Sequence, residues 1–402
     1  MTRLWDKGEP LDERVLRFTA GEDHRLDDRL VAYDVRASIA HAEMLHGAGL
    51  LAAADLASIR TGLETLAAEH AAGDWQIGLE DEDCHTALET RLTERLGPSG
   101  ERVHLGRSRN DQVLAALRLY LRDAIAALAE QTEAVALTLD GVAERQGDLA
   151  LPGYTHMQRA MPSSVALWAG GFASELRDDA RGLAAVSRRV EKNPLGSAAG
   201  YGVPLLPIDR DATCRSLGFA EVHQPVTAVQ LSRGKAESQL LFEICLLMQD
   251  LGRLASDLVL WNTEEFGFVA LPPELTTGSS IMPQKRNPDV FELIRGRSAT
   301  AQACLLEALA ITAKLPSGYH RDLQLLKPPL FRGIDLALAT LGVLTTSLPA
   351  LRFRPERITL TSELFAAERA YALVLELGIP FREAYRRVAA ELPLDGDAPL
   401  KP

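Results

Sequence analysis

The sequence has few of the residues that mark secreted, nucleic-acid-binding or membrane proteins. Its four cysteines (Cys84, Cys214, Cys245, Cys304) lack the spacing of a disulfide framework or a zinc site. Basic residues are also few: the 43 Lys and Arg are outnumbered by 55 Asp and Glu, which gives a net charge of −12. No run of about 18 apolar residues occurs, and the first fifteen residues carry no apolar stretch. We therefore expect a cytoplasmic globular protein without metal, nucleic-acid or membrane partners.

What the sequence does have is helical periodicity along almost its whole length, with hardly any alternating strand pattern. Residues 110–147, 162–191 and 226–266 keep that pattern far beyond the average helix of about 11–12 residues. This favours an all-α, elongated helical bundle. We predict three domains: residues 1–108 with short helices, 109–360 with the long helices, and a small, shortened C-terminal domain at 361–402.

The least helical stretch runs from Leu271 to Asp289 and contains the letters TGSSIMPQKRNPD from Thr277 onward. Its end predicts a helix start, with Asn287 as N-cap and Pro288 as the first helical residue. A helix N-terminus beside Lys285 is suited to hold a carboxylate. On its own, the same stretch is also explained as a polar surface loop.

The segment Gly278–Pro288 resembles the signature GSSxMPxKxNP of the fumarase/aspartase superfamily. Further blocks resemble its argininosuccinate lyase branch, and the resemblance covers about residues 1–390. These blocks are GRSRNDQV (106–113), PGYTHMQRAMP (152–162), EDCHTALE (82–89), GYHRDLQLLK (318–327) and GIPFREAYRRV (378–388). The resemblance implies a lyase that eliminates fumarate from argininosuccinate to leave arginine, with no cofactor. It also implies a homotetramer whose long helices form a central bundle and whose subunits share each active site.

The resemblance assigns the chemistry to four residues. Ser279 is the base that removes a proton next to a carboxylate, which requires cationic and amide donors around its oxygen. His156 is the acid, paired with Glu292. Lys285 stabilises the charge that grows in the transition state, together with the substrate contact Asn287. Two alternatives stay open: the histidine as base with the serine as donor, and a Ser279 hydroxyl that only caps its own loop.

The remaining substrate contacts implied by the resemblance fall into two groups. Arg109, Asn110 and Thr155 contact the substrate carboxylates, and His85 and Ser280 are further substrate contacts. Contacts to the arginine half are Asp27, Tyr319, Gln324 and Lys327. The segment from Phe18 to Asp23 lacks a serine that is common in this branch. We expect backbone amides at Gly21 to take over that contact.

Two other functions compete with this interpretation. One is a different fumarate-releasing lyase, such as an adenylosuccinate lyase, although phosphate-binding basic residues are hard to find. The other is a structural protein of the crystallin kind that uses the fold without catalysis. The joint presence of Ser279, His156, Lys285 and Glu292 argues against it.

Overall fold

The computed structural model describes residues 12–392, and that part of the chain is mostly helical. In chain order the α-helices are α1 Glu13–Ala20, α2 Asp23–Leu26, α3 Val31–Gly47, α4 Ala53–Ala72, α5 Cys84–Leu96, α6 Pro98–Glu101, α7 Arg109–Gln146, α8 Val165–Ala185, α9 Ser187–Val190, α10 Arg210–Leu217, α11 Val226–Leu231, α12 Lys235–Trp261, α13 Asp289–Thr312, α14 Lys327–Ser347, α15 Ala366–Leu377 and α16 Phe381–Glu391. The strands are β1 Ala150–Thr155, β2 Gln158–Ser164, β3 Lys192–Asn193, β4 Glu221–Val222, β5 Val269–Ala270 and β6 Arg352–Phe353. The predicted all-α class is confirmed.

One long predicted helix is confirmed and two are wrong in part. Helix α7, with 38 residues, matches the predicted range 110–147. The predicted helix 226–266 is instead α11 followed by α12, because Gly234 has a φ of +83° and interrupts it. A Cβ atom on Gly234 would lie 2.4 Å from a Thr312 methyl carbon, so no larger residue fits. The predicted helix 162–191 is instead α8 followed by the short helix α9, and its first residues belong to strand β2.

The start of the predicted helix 162–191 belongs to a β-hairpin, which was not predicted from the sequence. Strands β1 and β2 pair antiparallel, with Thr155 opposite Gln158. The two-residue turn between them consists of His156 and Met157, with φ angles of +53° and +61°. Positive φ at both turn residues is the geometry that fits the twist of a tight hairpin.

The chain divides into two compact units. The first contains the chain up to Gln131 together with Asp179–Met248 and Arg297–Ala339. Its core includes contacts of α3 with α4 and of α4 with α5, and a cluster comprising Ala37, Ala40, Ala115, Leu119, Leu195, Cys214, Leu217 and Phe219. The three predicted domains stay a prediction.

The second unit contains Thr132–Asp178, Gln249–Gly296 and the chain from Thr340 onward. Trp168, Trp261 and Phe353 pack with their ring centroids 5.0–6.0 Å apart at its centre. Helices α15 and α16 pack on each other through a small cluster of their own, Ala370, Ala384 and Val388. All four cysteines of the chain are buried and free.

One helical stretch, Arg321–Ala350, is long and apolar enough to cross a membrane by composition alone. It carries Arg332 and Asp335 in its middle. Its apolar side chains Leu330, Phe331 and Ile334 are fully or almost fully buried inside the protein. These features are typical of a core helix in a globular unit.

His41 gives the first unit a pH-dependent stability. Its side chain is fully buried with Nε2 2.9 Å from the Leu105 carbonyl oxygen, so Nε2 carries the proton and donates. Burial, with help from Arg107, lowers the pKa of His41 to about 3. In the unfolded chain His41 binds a proton near pH 6.5, whereas in the folded chain it stays neutral. The contribution of neutral His41 to the free energy of unfolding is therefore fully present above pH 6.5 and is lost as the pH falls towards 3.

We expect the free energy of unfolding to fall by up to about 1.4 kcal/mol per pH unit below pH 6.5 through His41. A His41→Gln variant keeps a donor for Leu105 but cannot titrate. Denaturant unfolding at pH 7, 6, 5 and 4 should therefore show a flatter profile for the variant. Parallel profiles would contradict this role for His41.

Candidate active site

The signature loop lies in the second unit and is closed by its own ends. Thr277 and Asn287 exchange two backbone hydrogen bonds of 3.2 and 2.9 Å. The side-chain amide of Asn287 also donates to the Thr277 hydroxyl at 3.3 Å and to the Gly278 carbonyl at 3.5 Å. Helix α13 begins at Asp289, one residue later than predicted, because Asn287 is held in this bridge. Asn287 as N-cap was therefore wrong.

Ser279 is held by the backbone of its own loop. The amides of Ile281 and Met282 donate to its Oγ at 3.3 and 3.2 Å. This is the loop-capping geometry left open above, and it also serves the proposed base, because amide donors stabilise an alkoxide more than a hydroxyl. Ser280 and Lys285 are exposed beside it.

His156 and Thr155 are exposed at the tip of the β1–β2 hairpin, and Glu292 is exposed in the first turn of α13. Within the described part of one chain, His156 and Glu292 make no hydrogen bond or ion pair with each other. The pairing of His156 with Glu292 stays a prediction.

A cavity of about 140 Å³ in the first unit collects most of the other predicted residues. Residues from three distant stretches line it: His85, Arg109 with Asn110, and the group Tyr319, Gln324 and Lys327. We call it the substrate pocket. Asp27 is fully buried against Lys327 and does not line the pocket.

Lys327 lies between two carboxylates in this pocket. Its Nζ is 2.6 Å from Asp27 Oδ1 and 3.1 Å from Asp23 Oδ2. Burial alone would lower the pKa of Lys327, but Asp27 and Asp23 outweigh it and the pKa is raised. Burial raises the pKa of Asp23 to about 6, although Lys327 opposes this. Asp23 is the only one of the pair of acids that reaches the pocket.

Arg109 and His85 are held in place by buried acids. Arg109 makes ion pairs with Asp83 and, at 3.5 Å, with Glu82. Burial would raise the pKa of Asp83, but Arg109, His85, the Thr86 amide and Lys327 together outweigh it and lower the pKa to about 2. His85 Nδ1 lies 3.2 Å from Asp34 Oδ2, and Asp34 raises the pKa of His85 against the effect of burial.

The start of α7, which carries Arg109 and Asn110, is fixed by Asp111. Its buried carboxylate accepts hydrogen bonds from the backbone amides of Ser108, Gly196 and Ala198 at 3.0, 3.0 and 2.8 Å. The Ser108 hydroxyl accepts from the Asn110 amide in return. This reciprocal cap holds the two predicted substrate residues on a rigid helix end.

One group of possible metal ligands occurs in the described residues, Asp27 with Cys84 and His85. Asp27 is already bound by the Lys327 ammonium and His85 by Asp34. Two of the three ligands are therefore engaged by charged partners, which disfavours a cation here.

Five residues that line the substrate pocket were not predicted from the sequence: Asp23, Asp83, Val113, Arg233 and Arg321. The sequence analysis was also wrong about Gly21, whose amide donates to the Arg17 carbonyl at 3.1 Å and is not free for a ligand. The available signal was the pair of acids Asp23 and Asp27, four residues apart, which a helical turn brings to one face.

Comparisons with known proteins were decisive. A family model described as "Lyase" matches residues 9–303. The argininosuccinate lyase of Sorangium cellulosum (strain So ce56) is 49% identical over 392 residues, with 97% of this chain and 90% of the relative covered. The chain belongs to the argininosuccinate lyase family. The family member of Thermotoga neapolitana (strain ATCC 49049) is 42% identical and covers 96% of this chain and 97% of its own.

Solved structures agree with the family on the fold. An EDDS lyase variant with bound fumarate matches with a TM-score of 0.80 at 24% identity, over 95% of this chain and 76% of that one. The class II fumarase of Schistosoma mansoni matches with a TM-score of 0.78 at 17% identity, over 93% and 87%. The helical fold of the superfamily is thereby confirmed for this chain.

Proposed function

We propose that this protein is an argininosuccinate lyase, which eliminates fumarate from argininosuccinate and releases arginine. The observation that carries the proposal is the substrate pocket, because three stretches distant in sequence bring six predicted contacts to one cavity. Family membership supports the same reaction. Localisation in the cytoplasm stays a prediction.

The test is a direct comparison of substrates. Purified protein is incubated in turn with argininosuccinate, adenylosuccinate, malate and aspartate, and fumarate is followed by its ultraviolet absorbance. We expect release from argininosuccinate alone. Release from adenylosuccinate would favour the rival lyase, and no release from any substrate would favour a structural protein.

The reaction requires a base for a weakly acidic C–H next to a carboxylate. In our proposal Ser279 removes this proton, helped by the two amides that already donate to its oxygen. Lys285 and Asn287 bind the carboxylate on which negative charge builds up. His156, oriented by Glu292, protonates the departing guanidino nitrogen of arginine.

The amino-acid half of the substrate carries both a carboxylate and an ammonium. In our proposal the carboxylate goes to Lys327 and Gln324, and the ammonium goes to Asp23. Asp23 is suited because it faces the pocket, while Asp27 remains behind Lys327 to hold it. A ligand ion pair would thus replace one of the two contacts of Lys327 without leaving any charge unpaired.

This role of Asp23 predicts a pH-dependent KM. Because the pKa of Asp23 is about 6 in the free protein, the carboxylate that binds an ammonium is lost below that pH. We expect KM for argininosuccinate to rise by up to about tenfold per pH unit below pH 6. Asp23→Asn should raise KM at pH 7.5 and remove this dependence.

Glu22→Gln is the matched control, because Glu22 is the adjacent acid and is exposed. Its pH profile should follow that of the unaltered protein. If Asp23→Asn kept the same rise of KM at low pH, the titrating group would be another residue and Asp23 would lose its role.

We further propose that the active enzyme is a homotetramer whose subunits share each active site. Among the described residues, the lining of the substrate pocket includes neither Ser279 nor His156; His156 is exposed and Ser279 is half-buried. Exposed apolar side chains are also common on four of the long helices. They include Leu137 on α7, Leu167 on α8, Phe242 and Leu246 on α12, and Leu293, Leu306 and Leu309 on α13. Packing of these helices between subunits would bury such faces.

A further inference from the structure

A second cavity lies in the first unit, one to two turns further along α7 than the substrate pocket. Its volume is about 310 Å³, within the range of small-molecule sites. Helix α7 presents Asn110 and Val113 to the substrate pocket, but Leu114, Leu117 and Arg118 to this second cavity. None of the residues assigned to the lyase reaction lines it. We call it the basic cavity, since four of its lining residues are Arg118, Arg189, Lys192 and Lys235.

Arg118 is a buried cation that is 3% exposed. Among the described residues it makes no ion pair with a carboxylate, and its hydrogen bonds go to neutral acceptors: the Lys192 carbonyl, the Ser232 hydroxyl at 2.9 Å and His223 Nδ1 at 3.0 Å. Because His223 Nδ1 accepts, its proton sits on Nε2 and the ring is neutral. Burial and Arg118 lower the pKa of His223 to about 4.

The charge balance around the basic cavity is positive. In the part of the chain that the structure describes, Glu237 is the one carboxylate that lines it, and this buried group lies 3.9 Å from the equally buried Arg233. Two buried guanidinium groups, Arg118 and Arg233, therefore share one acid. Arg233 Nε, Arg233 Nη1 and Glu237 Oε1 have no hydrogen-bond partner in the described residues.

The mouth of the cavity adds more positive charge. Lys235 and Arg189 are exposed there, while Lys192 is paired with Glu221 at 2.6 Å. An excess of cations at one place is unexpected in a chain with a net charge of −12. Buried charge without a counterion is unfavourable, so this arrangement is suited to an anion.

The other walls of the cavity are apolar and include Leu114, Leu117, Leu121 and Leu231. We propose that the basic cavity is a binding site, separate from the substrate pocket, for a small organic anion. Its carboxylate or phosphate group contacts Arg118, and its apolar body lies against these leucines. The ligand thus combines one anionic group with a short hydrocarbon body.

Calorimetric titration of the whole assembled protein tests the site. At constant ionic strength the probes are acetate, butyrate and hexanoate, with butyl phosphate and butylammonium in parallel. We expect affinity to rise by about tenfold for each two added methylene groups, since they enter apolar walls. Comparison of butyrate with butyl phosphate shows which anionic group is preferred, and butylammonium should not bind.

Four variants locate the binding. Arg118→Gln and Lys235→Glu should weaken hexanoate binding by about tenfold or more, because each removes a cation facing the ligand. Arg122→Gln is the matched control, since Arg122 lies one turn further on α7 and donates to the Leu217 carbonyl outside the cavity. Arg109→Gln is the control for the substrate pocket. Both controls should leave binding unchanged.

Three results would overturn the proposal. They are the absence of binding by every anionic probe, affinity independent of chain length, and loss of binding in Arg109→Gln with retention in Lys235→Glu. If Arg118→Gln has a lowered melting temperature that reveals misfolding, Lys235→Glu decides alone, because Lys235 is exposed. None of these results depends on the lyase activity.

Discussion

Ser279→Ala should abolish fumarate release while argininosuccinate binding stays close to that of the unaltered protein. The hydroxyl acts mainly in the transition state, so we expect kcat to fall by at least about 10²–10⁴-fold, as for loss of a general base. Fumarate absorbance measures the rate, and calorimetry with the inactive variant measures binding.

Thr276→Ala is the matched control, because Thr276 is a hydroxyl residue of the same loop, donates to the Pro273 carbonyl at 2.9 Å and is not a predicted substrate contact. It should keep most of the activity. A Ser279→Ala variant that turns over at a near-normal rate would reduce Ser279 to a residue that caps its loop through the Ile281 and Met282 amides.

Mixing two inactive variants, His156→Asn and Ser279→Ala, should restore activity when their subunits exchange. If each site takes its histidine and its serine from different subunits, random mixing in equal amounts leaves about a quarter of the sites with both groups intact. We therefore expect recovery from almost nothing to about a quarter of the normal specific activity.

Exchange must be proven separately, for example by mass spectrometry of assemblies built from isotope-labelled and unlabelled subunits. Each variant taken alone through the same exchange procedure is the control and should remain inactive. Sedimentation as a single chain, or inactive hybrids despite proven exchange, would require all catalytic groups to come from one subunit.

The long helices were predictable because the apolar periodicity in Arg109–Gln146 continues without a proline. The break before α12 was not, since a glycine is tolerated inside many helices and only its positive φ at Gly234 and the contact with Thr312 decide it. The hairpin around His156 was missed for a related reason. Neither turn residue is the glycine or asparagine that marks such turns in a sequence.

Several residues of the substrate pocket were predictable from the sequence, but the arrangement of the acids around Lys327 was not. The resemblance supplied Arg109, Tyr319 and Lys327, and the structure brings them together. It could not supply Asp23, because that part of the chain departs from the family pattern. Which of two acids faces a cavity depends on three-dimensional packing around Lys327, and no local sequence rule encodes that.

The left-handed backbone at His156 and Met157 implies a compromise between stability and activity. A turn optimised only for folding stability would carry Asn-Gly, because those residues adopt positive φ with the least conformational strain. The positive φ of His156 lowers the folding stability, although its imidazole is exposed at the hairpin tip. Asparagine tolerates this conformation better than histidine does. The inactive His156→Asn protein should therefore melt no earlier than its parent, which separates lost chemistry from lost fold.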